Sequence, residues 1–185
     1  MDLRTEPVTA ARWDDLVTVF GERGVPSRCW CAYLRQPRAD YRAGPANREA
    51  LHRVVDAGRE PGLLAYAAAE PVGWVSVGPR ADFLPRLERS RSLRPLPGDG
   101  FWSVLCFVVP PRHRRQGVAA ALLAGAVGFA RERGARAVEG YPLDDSGGRR
   151  WSSADAFVGV ASMFVRAGFT VVEPRGTHVA CRLDL

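Results

Sequence analysis

The chain has no lysine and no isoleucine in its 185 residues. A Walker-type phosphate loop needs a lysine after its second glycine, so that nucleotide site is excluded. All 26 cationic side chains are therefore arginines, a usage that reads as codon bias in a GC-rich genome. The net charge of +6 thus carries little information about partners, although it favours the approach of polyanions. No G-x-G-x-x-G follows a strand-like run, which removes a Rossmann dinucleotide site. No apolar run approaches the ~18 residues of a membrane span, and the opening MDLRTEPVTAARW lacks a leader's apolar stretch. A soluble, cytoplasmic protein that does not contact membranes is expected. Four cysteines (Cys29, Cys31, Cys106, Cys181) do not make a disulfide framework at this length. Cys29-x-Cys31 lacks a second close ligand pair, so no metal is expected.

With 46% hydrophobic residues the chain can bury a full core, and its length suits a single domain over 1–185. The most informative segment is FWSVLCFVVPPRHRRQGVAAALLAGAVGFARERG, residues 101–134. An apolar strand over 102–109 stops at two prolines, and an Arg-rich loop with one glycine follows. A helix then starts, apolar at Val118, Leu122, Ala126, Phe129 and Ala130, and ends at Gly134. Strand, cationic loop and helix N-terminus in that order aim backbone N–H groups and a positive dipole end at one place. A diphosphate is the natural occupant.

Arg114, Gly117 and Ala119 fit R-x-x-G-x-A, and Ala167-Gly168-Phe169 closes a later helix about fifty residues on. Together these motifs resemble the GNAT-type N-acetyltransferase superfamily over residues 101–173. The resemblance implies a mixed, mostly antiparallel twisted sheet of about seven strands in an α/β (α+β) fold, with helices on both faces. It also implies a pair of strands, 102–109 and 137–143, splayed by a bulge. Backbone groups of Phe107, Val108 and Val109 would then pair with the pantetheine arm of acetyl-CoA. Amides of Arg114, Arg115, Gln116, Gly117, Val118 and Ala119 would hold its diphosphate. An N–H near Val108 or Val109 would polarise the thioester carbonyl. The acceptor would be a primary amine of a small molecule or peptide, attacking directly in a ternary complex.

Many members place a proton-donating tyrosine five residues before the Gly-Phe phenylalanine, where this chain has Phe164. Tyr141 and Ser162 are the nearest hydroxyl candidates, and Glu139 is the best-placed carboxylate, sharing a strand face with Tyr141. The missing tyrosine motivates an alternative, a catalytically silent CoA-binding regulatory domain. An acetyl-cysteine route through Cys106 is a further alternative, although a mid-strand cysteine is more often inert. Trp30 and Tyr33 fall in a segment that borders the acceptor pocket in such proteins, as an aromatic wall. The arginines are spread along the chain, which argues against a nucleic-acid surface.

Elsewhere, Thr9 and Asn47 are read as N-caps of two helices, the first ending at Gly24 and the second at Gly58. Residues 62–69 and 72–77 read as a hairpin turning at Glu70-Pro71. Residues 25–45 read as irregular, 79–99 as a surface excursion, 144–153 as a polar loop, and His52 and His178 as surface residues. His113 is read as facing the phosphate loop. Residues 178–185 read as a closing strand, one whose edge would suit a homodimer.

Overall fold

The hairpin and strand patterns assemble into one seven-stranded sheet in the computed structural model, which describes residues 2–152 and 155–185. β1 (Leu3–Pro7) leads through a 3-10 turn into α1 (Trp13–Phe20), and α2 (Pro26–Cys29), α3 (Ala32–Arg35) and α4 (Ala46–Asp56) follow. β2 (Gly62–Ala67) and β3 (Glu70–Pro79) form the hairpin, and α5 (Leu84–Leu87) precedes β4 (Phe101–Val108). The chain then runs through α6 (Val118–Glu132), β5 (Ala137–Gly140), α7 (Ala161–Arg166), β6 (Thr170–Arg175) and β7 (His178–Asp184). The sheet order is β1-β2-β3-β4-β5-β7-β6, antiparallel everywhere except the parallel β4–β5 pair.

Alternation along the strands divides the core into two layers. Leu64, Tyr66 and Trp74 face α1, α3, α4 and α5. Leu63, Ala65, Val75 and Val77 face α6 and α7. α1 buries Trp13, Leu16, Val19 and Phe20 as one stripe, and Asp14 and Asp15 in its first turn complement the helix dipole. α6 is apolar on most sides because it lies flat on the sheet, with Leu122, Leu123 and Ala126 fully buried.

Several sequence expectations need correction. Thr9 caps nothing with its side chain; it precedes the 3-10 turn, and α1 ends at Gly21 rather than Gly24. The hairpin turns at Ala68-Ala69, so Glu70 and Pro71 already belong to β3. Residues 25–45 contain two helices. Residues 79–99 are no surface excursion, since Phe83, Leu87, Leu93 and Leu96 are buried in the α1 layer. Proline and arginine content disguised four well-spaced anchors. Strand β7 lies between β5 and β6, so the sheet edges are β1 and β6 and the expected edge at 178–185 is internal. His52 is only half-exposed and stacks on Trp13 at 4.2 Å. Ser153 of the expected polar loop lies outside the described residues.

Asn47 is not an N-cap either. It lies inside α4, 4% exposed, and its Nδ2 donates to the carbonyls of Arg28 and Arg42, both at 2.8 Å. That amide holds the α2–α4 connection closed. Asn47→Ala strands the Arg42 carbonyl and leaves the Arg28 carbonyl only its bond from the Gly44 amide, at a cost of about 2 kcal/mol. The melting midpoint should fall by roughly 4–8 °C. An unchanged midpoint in a thermal scan would mean that the amide is dispensable.

Candidate active site

β4 carries the feature that opens the sheet. Ser76 pairs with Cys106 and Val77 with Val104, which leaves Leu105 as an extra residue. Side chains before and after it are consequently out of phase. Leu105 and Cys106 both face the α1 layer, while Val104 and Phe107 face α6. The pairing of β4 with β5 ends at this point, at Val104↔Gly140. Residues 105–108 therefore run on without a β5 neighbour, and a 3-10 turn (Ala156–Val158) lies against them.

The same strand delivers the chain to the cationic loop. Pro110 and Pro111 stop β4, since neither has an N–H to continue the ladder. Arg115 (φ 60°) and Gly117 (φ 82°) both adopt left-handed backbone, and a Cβ on Gly117 would meet nothing within 4 Å. The loop is braced from behind. The Arg114 Nε donates to the Val109 carbonyl at 3.0 Å and the Gln116 side chain to the Arg112 carbonyl at 2.8 Å. His113 is buried between Arg112 Nε at 2.8 Å and Glu70 at 3.3 Å, so it ties the loop to the β2–β3 hairpin rather than facing a ligand.

The first helical bond of α6 runs from the Ala121 N–H to the Gly117 carbonyl. Amides of Val118, Ala119 and Ala120 thus have no helical acceptor. Among the described residues, no side chain caps this end and no acidic residue occupies the first turn. Exposed Arg115 adds a cation with no partner among the described residues. Uncapped amides, a positive dipole end and a free guanidinium suit an anion with several oxygens. Two surface clefts, one beside Trp102 and Arg133 and one beside Trp13 and His52, include none of these residues. The uncapped amides form an exposed ledge that lies outside both clefts.

A family model described as the acetyltransferase (GNAT) family matches residues 26–142. The chain belongs to that family. Among curated proteins none matches it in sequence. Its fold is similar to the solved GCN5-related N-acetyltransferase from Kribbella flavida (TM-score 0.58, 18% identity, 99% of this chain and 98% of that one). It is also similar to the GNAT domain of S. lividans PAT (TM-score 0.57, 22% identity, 99% and 90%). A third similar structure is the PaiA N-acetyltransferase from Thermoplasma acidophilum, solved with coenzyme A (TM-score 0.52, 12% identity, 100% of both chains).

In this GNAT chain the side chains read as catalytic candidates have distinct surroundings. Glu139 is fully buried opposite Ser103 and accepts from Arg80 Nε (2.9 Å), Arg80 Nη2 (2.7 Å), Ser103 Oγ (2.8 Å) and the Leu96 amide (3.3 Å). Both oxygens are taken, so the carboxylate anchors the 79–99 segment to the sheet. Ser162 donates its hydroxyl to Asp145 at 2.5 Å and its amide to the same carboxylate at 2.9 Å, which caps α7 from a distant loop. Phe164 is fully buried between Phe107 and Phe169, and its ring lies where a Cβ on Gly140 would be.

Tyr141 differs from these. It is fully buried, and its Oη has no hydrogen-bond partner. Burial and then the nearby Glu139 charge push its phenol well above the usual tyrosine range, outweighing Arg80 and Arg175. It is a hydroxyl that stays protonated, with the Glu139 carboxylate close enough to hold its proton in place. Trp30 is not an exposed wall: it is 3% exposed and stacks on Phe20 at 4.5 Å and Trp13 at 5.7 Å. Tyr33 is half-buried, edge-on to Tyr41 at 5.2 Å, with its hydroxyl accepting from Arg86. Composition could not have singled out Arg86 among so many arginines. A metal centre is not formed by any cluster of His, Cys, Asp or Glu among the described residues, and none of their helices is long and apolar enough to cross a membrane.

Proposed function

We propose that this chain transfers the acetyl group of acetyl-CoA to a primary amine of a small molecule or peptide, the whole chain acting as one unit. The observation that carries this reading is the uncapped α6 N-terminus set directly beyond the unpaired end of β4. Amides of Arg114 to Ala119 hold the diphosphate, and residues Phe107 to Val109 offer a strand edge to the pantetheine arm. The Val109 carbonyl already accepts one bond from Arg114, so its second lone pair is the one left for that arm.

Acetyl-CoA supplies a thioester, and the acceptor amine attacks its carbonyl carbon. The C–N bond forms, the C–S bond breaks, and the amine loses one proton as the thiolate gains one. Tyr141 is the group proposed to hold the proton for the departing sulfur. Direct attack is favoured over an acetyl-cysteine intermediate because the buried Cys106 thiol is pushed well above its usual range, chiefly by its hydrogen bond to Cys31.

Tyr141→Phe should lower kcat by about 10²-fold, the scale of one general acid, with CoA affinity unchanged. The raised phenol also has a stability consequence. Its contribution is fully present below the ordinary tyrosine pKa of about 10 and is lost as pH rises beyond it, toward the folded value. Wild-type protein should therefore lose stability above pH ~10 more steeply than Tyr141→Phe. Unchanged turnover in the variant would remove Tyr141 from the mechanism.

Phe164, which cannot donate a proton, favours a second reading, a CoA-binding regulatory domain without turnover. An assay of acetyl-CoA with an amine panel, following free thiol, separates the two. Calorimetric CoA binding with no amine-dependent thiol release would favour the second.

A further inference from the structure

Buried guanidinium groups in this protein come with carboxylates. Arg35 lies 3.5 Å from Asp82, Arg80 lies 2.7 Å from Glu139, and Arg175 is paired with Glu173. That rule is what desolvation demands, because a buried cation without a counter-charge is costly. Arg86 breaks it. The residue is 8% exposed, its Nε is buried without a partner, and Nη2 donates only to the neutral Tyr33 hydroxyl. Its guanidinium lies 4.4 Å from the Tyr33 ring centre, and among the described residues no carboxylate comes within ion-pair range.

The position of Arg86 matters as much as its missing partner. Cys31, just before α3, accepts from the Trp74 indole at 3.2 Å, and Trp74 is in register with Val108 at the end of β4. The start of α3 thus sits over the stretch of β4 that has no β5 neighbour. Tyr33 is two residues further along α3, and Arg86 from α5 covers its ring. This layer is on the sheet face opposite α6, so the cation is separated by the sheet from the ledge that takes the diphosphate.

We infer that Arg86 recognises a carboxylate carried by the acceptor, which makes the substrate an amine that is also an acid. The amine half rests on the acetyl-transfer reading, whereas the anion half rests on Arg86 alone. Arginine suits this role because its planar fork matches a carboxylate through two parallel bonds, and the unpartnered Nε is one prong of that fork. The half-buried Tyr33 ring beside it, backed edge-on by Tyr41, supplies the apolar wall that excludes water from the pair.

The test uses free L-amino acids, their α-carboxamides and matched aminoalkylphosphonates as probes. Two readouts run in parallel: thiol release with acetyl-CoA, and calorimetric binding in the presence of CoA. The acids should exceed the carboxamides on the order of 100-fold in both kcat/KM and affinity. Arg86→Met should erase that ratio while leaving CoA affinity unchanged. Should Arg86→Met fail to fold, Arg86→Lys, which keeps the charge but loses the fork, should cut the ratio about tenfold. Equal binding of acid and carboxamide by the wild type would overturn the inference. So would no binding of either, a ratio that survives in the variants, or a preference for the phosphonates. An acid preference seen by calorimetry and lost in the variant, with no thiol release from any amine, would uphold the carboxylate site while removing acetyl transfer.

Discussion

Gly117→Trp is expected to abolish CoA binding, raising its Kd at least ~100-fold, while the protein stays folded. The fold tolerates the change because a Cβ at this position meets nothing within 4 Å. Its cost is confined to the backbone: Gly117 has φ 82°, and a side chain there costs about 1–2 kcal/mol. That corresponds to a fall of roughly 2–8 °C in melting midpoint for a chain of this size. The indole, however, projects into the open space above the Val118 to Ala120 amides, which an anion needs to approach closely. Gly117→Ala separates the two effects, since it carries the same backbone cost with little obstruction. Calorimetry and a thermal scan on both variants decide the matter. A folded Gly117→Trp protein with wild-type CoA affinity would show that the diphosphate is held elsewhere.

Glu139→Ala should be the most destabilising of the substitutions considered. It leaves Arg80, 13% exposed at its side chain, without its carboxylate, and it orphans the Ser103 hydroxyl and the Leu96 amide. Breaking a buried pair from one side costs about 3–5 kcal/mol. The expected loss in melting midpoint is therefore about 6–20 °C. Replacing both partners, as in Arg80→Met with Glu139→Met, removes the charges together and should recover most of that loss. This pattern distinguishes an anchor from a general base. A base would lose kcat in Glu139→Gln with little change in stability, and the double substitution would recover no activity. A stable Glu139→Ala protein with impaired turnover would reverse the assignment made from the four hydrogen bonds.

Local signals were legible in the sequence and distant ones were not. The strand, the proline stop, the arginine loop and the helix after Gly117 lie within 34 consecutive residues, and each is marked by its own residue types. Short-range chemistry determines such a segment, so composition and period suffice to read it. Asn47 looked like a cap because caps and cross-braces use the same side chain; only the positions of the Arg28 and Arg42 carbonyls tell them apart. Glu139 stands out in the sequence as a carboxylate near the chemistry, but its partner Arg80 is 59 residues away. Trp30 suggests a wall from sequence because nothing local reveals that Phe20 and Trp13 stack against it. Arg86 is invisible in the sequence for a related reason. Its distinction is an absent neighbour, which no pattern of residues along a chain records.

The surplus residue at Leu105 has one more consequence. Up to that point even-numbered positions of β4 look toward α6, as Trp102 and Val104 do; beyond it the odd-numbered Phe107 does. The strand is therefore two short runs of opposite parity joined at a phase slip. A deletion or insertion on one side of the slip would invert the sidedness of that run alone. The gap in the sheet is thus set by how many residues β4 contains, so it survives wide changes in which residues they are.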